Sequence, residues 1–134
     1  MVPFYPPLSP TDVNQLGLLE LAYFGDTVCD LYVRESLVRR GISVREMHGH
    51  AVARVNAKAQ ADALERVRPL LTEEEAALVR RGQNAKAHHD APHGIDRRVY
   101  SRATAFEALL GSLYLSGRTE RLGELLRTAM EELI

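Results

Sequence analysis

Two long apolar segments of this chain each hold a glycine and a carboxylate where a buried helix would ordinarily hold neither. In "ELAYFGDTVCDLY", residues 20–32, Gly25 and Asp26 interrupt a pattern made by Leu21, Ala22, Tyr23, Phe24, Val28 and Leu31. In "TAFEALLGSLYL", residues 104–115, Glu107 lies among Phe106, Leu109, Leu110 and Leu113, with Gly111 one turn later. Glycine costs a helix interior about 1 kcal/mol relative to alanine, and a buried, unpaired carboxylate costs more. A residue without a side chain lets a neighbouring backbone approach closely. One arrangement accounts for both segments: two helices packed together, with Asp26 and Glu107 facing each other.

The remaining periodicity is helical, strand signals are nearly absent, and an all-α bundle is expected. After a proline-rich lead-in, Ser9-Pro10 or Thr11-Asp12 opens a short turn, and a long helix runs from Leu18 to Arg40, ended by Gly41. The segment Ser43 to Gly49 leads into a helix from His50 to Arg68, stopped by Pro69. Thr72 and Glu75 have the form of a capping box and start a helix over Glu73 to Arg81, which Gly82 ends. Residues 83–97, "QNAKAHHDAPHGIDR", combine proline, glycine and three histidines without an apolar period, which predicts a long loop offering a contact surface. From Arg98 a second apolar helix reaches Ser116, and a last amphipathic helix presents Leu122, Leu125, Leu126, Met130 and Leu133 on one face.

At 134 residues the chain is expected to be one domain, 1–134, and 46% hydrophobic with 26% charged residues is the composition of a soluble globule. Cys29 is the one cysteine and excludes an intrachain disulfide or a cysteine metal cluster. Set in an apolar pattern with no base partner in the sequence, it reads as a buried, inert thiol. No window approaches the roughly 18 to 20 apolar residues of a membrane span, and the N-terminus lacks a charged n-region. A cytoplasmic protein without membrane contact is expected. The net charge of −1 gives no overall basic signal, yet Arg39-Arg40, Arg80-Arg81 and Arg97-Arg98 are basic pairs while acids gather at Glu73 to Glu75. A neutral total can conceal a basic face.

Two carboxylates in a partly dry place repel, so one takes a proton or both share a cation. Hard oxygen ligands favour magnesium or manganese, which keep several waters and engage a substrate phosphate. That set suits metal-assisted phosphodiester hydrolysis. The competing account pairs each acid with an arginine, Arg34, Arg54 or Arg102 being available. His88, His89 and His93 with Asp90 lack a helical ligand spacing, so a solvated or RNA-facing loop is expected there rather than a zinc site. "RRGQNAK", residues 80–86, is either a solvated helix end or a set of groups suited to phosphates and sugar hydroxyls. "VNAKAQADAL", residues 55–64, sets Asn56 and Gln60 on one helical face and Lys58 on another, as a surface helix also would.

These segments resemble the catalytic domain of ribonuclease III. "LELAYFGDTVCDLYV" resembles that family's signature helix, and "FEALLGSLYL" its second motif, which carries the catalytic glutamate. "LAYFGD", "AKAQA", "EEE" before Arg-Arg-Gly, "RRGQNAK" and a tyrosine followed by "TAFEALLGSLYL" stand in the order of the short bacterial Mini-III subfamily, over about residues 16–126. The resemblance implies a helical, homodimeric endonuclease domain that hydrolyses double-stranded RNA with magnesium, for which manganese substitutes, leaving 5′-phosphate and 3′-hydroxyl ends. It implies that Asp26 and Glu107 are the catalytic, metal-binding acids, and that the substrate is precursor 23S ribosomal RNA, trimmed where its two ends pair. Arg80, Arg81, Asn84 and Lys86 match the subfamily's motif and, with Lys58, are the expected RNA contacts.

Larger ribonuclease III enzymes carry a further glutamate one turn before the aspartate, and an aspartate three residues before the glutamate. Ala22 and Thr104 stand at those positions. The Mini-III subfamily shares this lighter set, so the metal is expected to have fewer protein ligands and more water. Glu20 lies about 120° around the helix from Asp26 and does not replace the missing acid. The double-stranded-RNA-binding domain of the larger enzymes is expected to be absent, which leaves RNA to the catalytic domain. Two other classes compete: a non-catalytic RNA-binding or ribosome-assembly module, which the missing acids would suit, and an all-α nucleotide phosphohydrolase, which would need more clustered acids.

Overall fold

The computed structural model describes residues 4–86 and 94–130, with Lys86 described in its backbone alone. The loop residues His88, His89, Asp90 and His93, and Leu133, lie outside the described residues.

Local sequence sets most helix starts. The Ser9 hydroxyl accepts from the Asp12 N–H at 3.1 Å and opens α1 (Pro10–Gln15), where Pro10 has no helical bond to lose. Glu20 accepts from the Gly17 N–H at 3.0 Å and so secures the start of α2 (Leu18–Arg39). That use keeps it away from Asp26, in line with its place on the helix. Beyond α2 the chain turns at Gly41, whose φ of 71° favours glycine.

The helix expected from His50 to Arg68 is instead two. Ser43 caps α3 (Val44–Arg54), its Oγ accepting from Glu46 N–H at 3.2 Å. Asn56 caps α4 (Ala57–Val67), its Oδ1 accepting from Ala59 N–H at 2.8 Å while its Nδ2 donates back to the Val52 and Ala53 carbonyls at 3.1 and 3.0 Å. One side chain thus closes one helix and opens the next, so Asn56 does not share a helical face with Gln60. A 3₁₀ turn at Arg68–Leu70 absorbs Pro69.

The capping box is present: Thr72 N–H donates to Glu75 Oε1 at 2.9 Å, and Thr72 Oγ1 accepts from Glu75 N–H at 3.2 Å. The helix it starts, α5 (Glu73–Lys86), does not stop at Gly82 but runs through it. Gly82 is a packing position, because a Cβ there would stand 3.0 Å from the Ala105 Cα. Asp96 caps α6 (Arg97–Leu115) by accepting from the Arg98 and Val99 N–H groups, and α7 (Thr119–Met130) follows a turn at Gly117.

Helix α6 forms the centre, with Ala105, Phe106, Ala108, Leu109, Leu110 and Leu113 buried and α2, α4, α5 and α7 all packed on it. The fold is all-α. Among the described residues there is no strand, and no helix is long and apolar enough to cross a membrane.

Candidate active site

The two glycines bring α2 and α6 into backbone contact. A Cβ on Gly25 would collide with the Glu107 carbonyl, and a Cβ on Gly111 would collide with the Leu21 carbonyl. Each helix gives up a side chain where the other presents a carbonyl, so the contact is reciprocal and fixes the register of Gly25 against Glu107. Asp26 follows Gly25 directly, and both acids therefore sit at the level of the crossing. They differ in environment: Glu107 is half-buried, and Asp26 is exposed rather than set in the core as its apolar neighbours suggest. The nearby Tyr23 is 85% exposed, so this side of α2 faces outward despite its apolar sequence.

The charges of the acids converge on one thiol. Cys29, on the turn after Asp26, is fully buried. Burial pushes its thiol up to about 12, the Gln60 side chain opposes that rise, and the charges of Glu107, Asp26 and Asp30 add to it in that order. Cys29 is therefore a protonated, inert thiol at neutral pH. Asp30 accepts from Arg34 Nε at 2.9 Å. Asp26 has no hydrogen-bond or ion-pair partner among the described residues. Of the arginines considered for this role, Arg34 pairs with Asp30 and Arg102 stands 3.9 Å from Glu65.

A polar group that the sequence placed on a surface enters from α4. Gln60 is 4% exposed, and its side-chain amide stands beside the Cys29 thiol, yet Nε2 reaches no acceptor in hydrogen-bonding geometry. The available signal was the stripe Gln60, Leu64 and Val67, at helical spacing and all buried. Ala22 and Thr104 are buried as well, and Thr104 Oγ1 donates to the Tyr100 carbonyl at 2.9 Å. Neither offers a carboxylate.

A metal at this crossing would have two carboxylates, Asp26 and Glu107, as its protein donors. Among the described residues no three His, Cys, Asp or Glu side chains are grouped to hold a metal ion. This set does not fit zinc, which takes three or four protein ligands, but it fits magnesium or manganese, which one or two carboxylates hold while water and phosphate oxygens complete the shell.

Of the basic candidates, Arg80, Arg81 and Asn84 are exposed on the last turns of α5. Gly82 packs on Ala105, and the Ser101 hydroxyl donates to the Gln83 carbonyl at 3.4 Å, so this stretch is tied to α6 just ahead of Glu107. Arg81 lines a cavity with Asn14, Glu74, Glu75 and Arg118. Lys58 belongs to α4 and pairs with Asp62 at 3.0 Å.

The family model described as the ribonuclease III domain matches residues 19–118. The chain is 48% identical over 114 residues to the Mini-ribonuclease 3 of Symbiobacterium thermophilum, covering 84% of this chain and 87% of that one. It is 42% identical over 125 residues to the Mini-ribonuclease 3 of a Thermoanaerobacter species, covering 92% and 87%. A Fusobacterium nucleatum protein solved by X-ray crystallography has a similar fold, with a TM-score of 0.80, 27% identity, and coverage of 92% of this chain and 98% of that one.

Proposed function

The chain belongs to the ribonuclease III family and is an endoribonuclease of its Mini-ribonuclease 3 group, and we propose that it cuts double-stranded RNA at the α2–α6 crossing with Asp26 and Glu107 as its catalytic acids. The observation that carries this reading is the reciprocal glycine contact, which sets two carboxylates at one level, one of them exposed and without a hydrogen-bond or ion-pair partner among the described residues. A cation shared with an incoming phosphate is the natural relief of that uncompensated charge.

Magnesium is the cofactor of this reading and manganese its substitute, and such an ion, when bound, supplies an activated water and neutralises charge developing on the phosphate. The residues of the chain position and select. Asp26 presents its carboxylate where RNA can approach. The backbone contact at Gly25 fixes the Glu107 backbone against α2, so the two acids project from a crossing of set register. Hydrolysis breaks the bond to the 3′ oxygen and leaves 5′-phosphate and 3′-hydroxyl ends. Arg80, Arg81, Asn84 and Lys86, with Lys58, bind backbone phosphates and 2′-hydroxyls, which specify A-form shape rather than sequence.

The active form in this reading is a homodimer. The outward side of α2 carries Leu19, Tyr23 and Leu31 at 37%, 85% and 53% exposure, and Leu16, Phe24 and Leu115 extend it as an apolar groove. A two-fold contact would cover such a surface. The substrate is the paired ends of precursor 23S ribosomal RNA, in the cytoplasm, where a lone free Cys29 is at home.

The second reading, a non-catalytic RNA-binding module, draws on Ala22 and Thr104 standing where acids would strengthen a metal site. Incubation of the protein with long double-stranded RNA and with paired precursor ends, in magnesium or in EDTA, separates the two. Cleavage of both strands in magnesium and none in EDTA is expected. RNA left intact at every protein concentration would favour the module.

A further inference from the structure

A buried donor with nothing to donate to costs roughly 1 to 3 kcal/mol, and folded proteins retain few of them. Gln60 comes close to such a case: it is 4% exposed and carried on α4, and its Nε2 faces only the Cys29 sulfur, a weak acceptor, without reaching hydrogen-bonding geometry among the described residues. Its stripe neighbours Leu64 and Val67 are fully buried, so an apolar residue would suit the position better if packing were its whole purpose. The amide stands beside Cys29, which lies one turn past Asp26 and within reach of the Glu107 charge. The unmet donor thus lies behind the two acids, reached from a third helix.

We infer that Gln60 is a positioning residue of the active site, its Nε2 held ready to donate to an oxygen acceptor that arrives when Asp26 and Glu107 take up a divalent cation. Nε2 is a donor and does not itself ligate a cation. It holds an oxygen of the acid pair or of a bound water in place, which matters most in a site with few protein ligands. This rests on the metal reading of the acid pair. The protein's own groups give this donor no full hydrogen bond, so a bond gained on cation uptake adds to the affinity for the cation.

The test is a melting-temperature titration of wild type and Gln60→Met with magnesium chloride and with manganese chloride, without RNA. Methionine nearly matches glutamine in volume and has no donor. The metal-free variant is expected to melt at or above the wild-type temperature. The cation concentration that gives half the stabilising shift is expected to rise by roughly tenfold, the size seen when groups supporting metal ligands are removed. A metal-free variant that melts lower, or fails to fold, assigns Gln60 to the core and overturns the inference. Superimposed titrations overturn it also while leaving the acid pair as the metal site. A wild type whose melting does not respond to either cation overturns the metal reading itself, and this inference with it.

Discussion

At Gly25 and Gly111 one methyl group decides whether α2 and α6 can cross in backbone contact. A Cβ at either position would enter a carbonyl of the opposite helix, where no side chain can swing away. Gly25→Ala is therefore expected to lower unfolding free energy by roughly 3 kcal/mol or more, as overpacking of a rigid contact does. Gly49→Ala is the control: nothing lies within 4 Å of a Cβ there, and the change is expected to stabilise α3 by about 0.5 to 1 kcal/mol. Urea denaturation of the two variants checks both signs. The positions of Gly25, Asp26, Glu107 and Gly111 were legible because each is locally costly, and a costly residue in an apolar helix points to its compensation. Gln60 was not legible in the same way. An amide in an alanine-rich helix is cheap on a surface; the stripe with Leu64 and Val67 signals its burial, but its place beside Cys29 depends on how α4 meets α2, which no local pattern encodes.

Helix ends follow local chemistry where a side chain makes the cap, and tertiary packing where it does not. Ser9, Ser43, Thr72 and Asp96 each accept from a nearby backbone N–H, and such caps can be read from sequence. Gly82 reads as a stop for the same local reasons, but Ala105 needs its bare backbone, and α5 continues. The break at Asn56 was equally local and was masked by an unbroken alanine-rich run on both sides. Glu75 joins these scales. It completes the Thr72 capping box and accepts from Arg121 Nε and Nη2 at 3.0 and 2.8 Å, tying α7 to the start of α5. Its hydrogen bonds to Arg121 hold its carboxyl below the ordinary value of 4.5, with the Thr72 N–H adding to the effect. A carboxyl depressed in the folded state stabilises fully above its unfolded value and loses that contribution as pH falls through the folded one. Glu75→Gln is expected to lower stability at neutral pH and to flatten its acid dependence below about pH 4.5, by thermal melts over a pH series. A wild type and variant with parallel pH profiles would remove Glu75 from the acid response.

For the whole molecule, the same α2 has two jobs: its inner side packs on α6, while its outer side carries Asp26 between exposed apolar residues. Helix α2 carries more apolar residues than its buried face uses, and the exposure of Tyr23 and Leu31 locates the excess. Tyr23→Asp places a charge on that side without disturbing the core, and is expected to convert a dimer into a folded monomer by light scattering after size exclusion, with an unchanged helical spectrum. A monomeric wild type would dismiss the two-fold contact. The central claim is that the α2–α6 crossing is a cation-dependent RNA-cutting site. It is tested most directly by cleavage of long double-stranded RNA in magnesium by wild type, Asp26→Asn and Glu107→Gln, each first shown to melt like the wild type. Both variants are expected to lose roughly a hundredfold or more in rate, since each removes charge that steadies the transition state. Cleavage at wild-type rate by either well-folded variant would contradict the account.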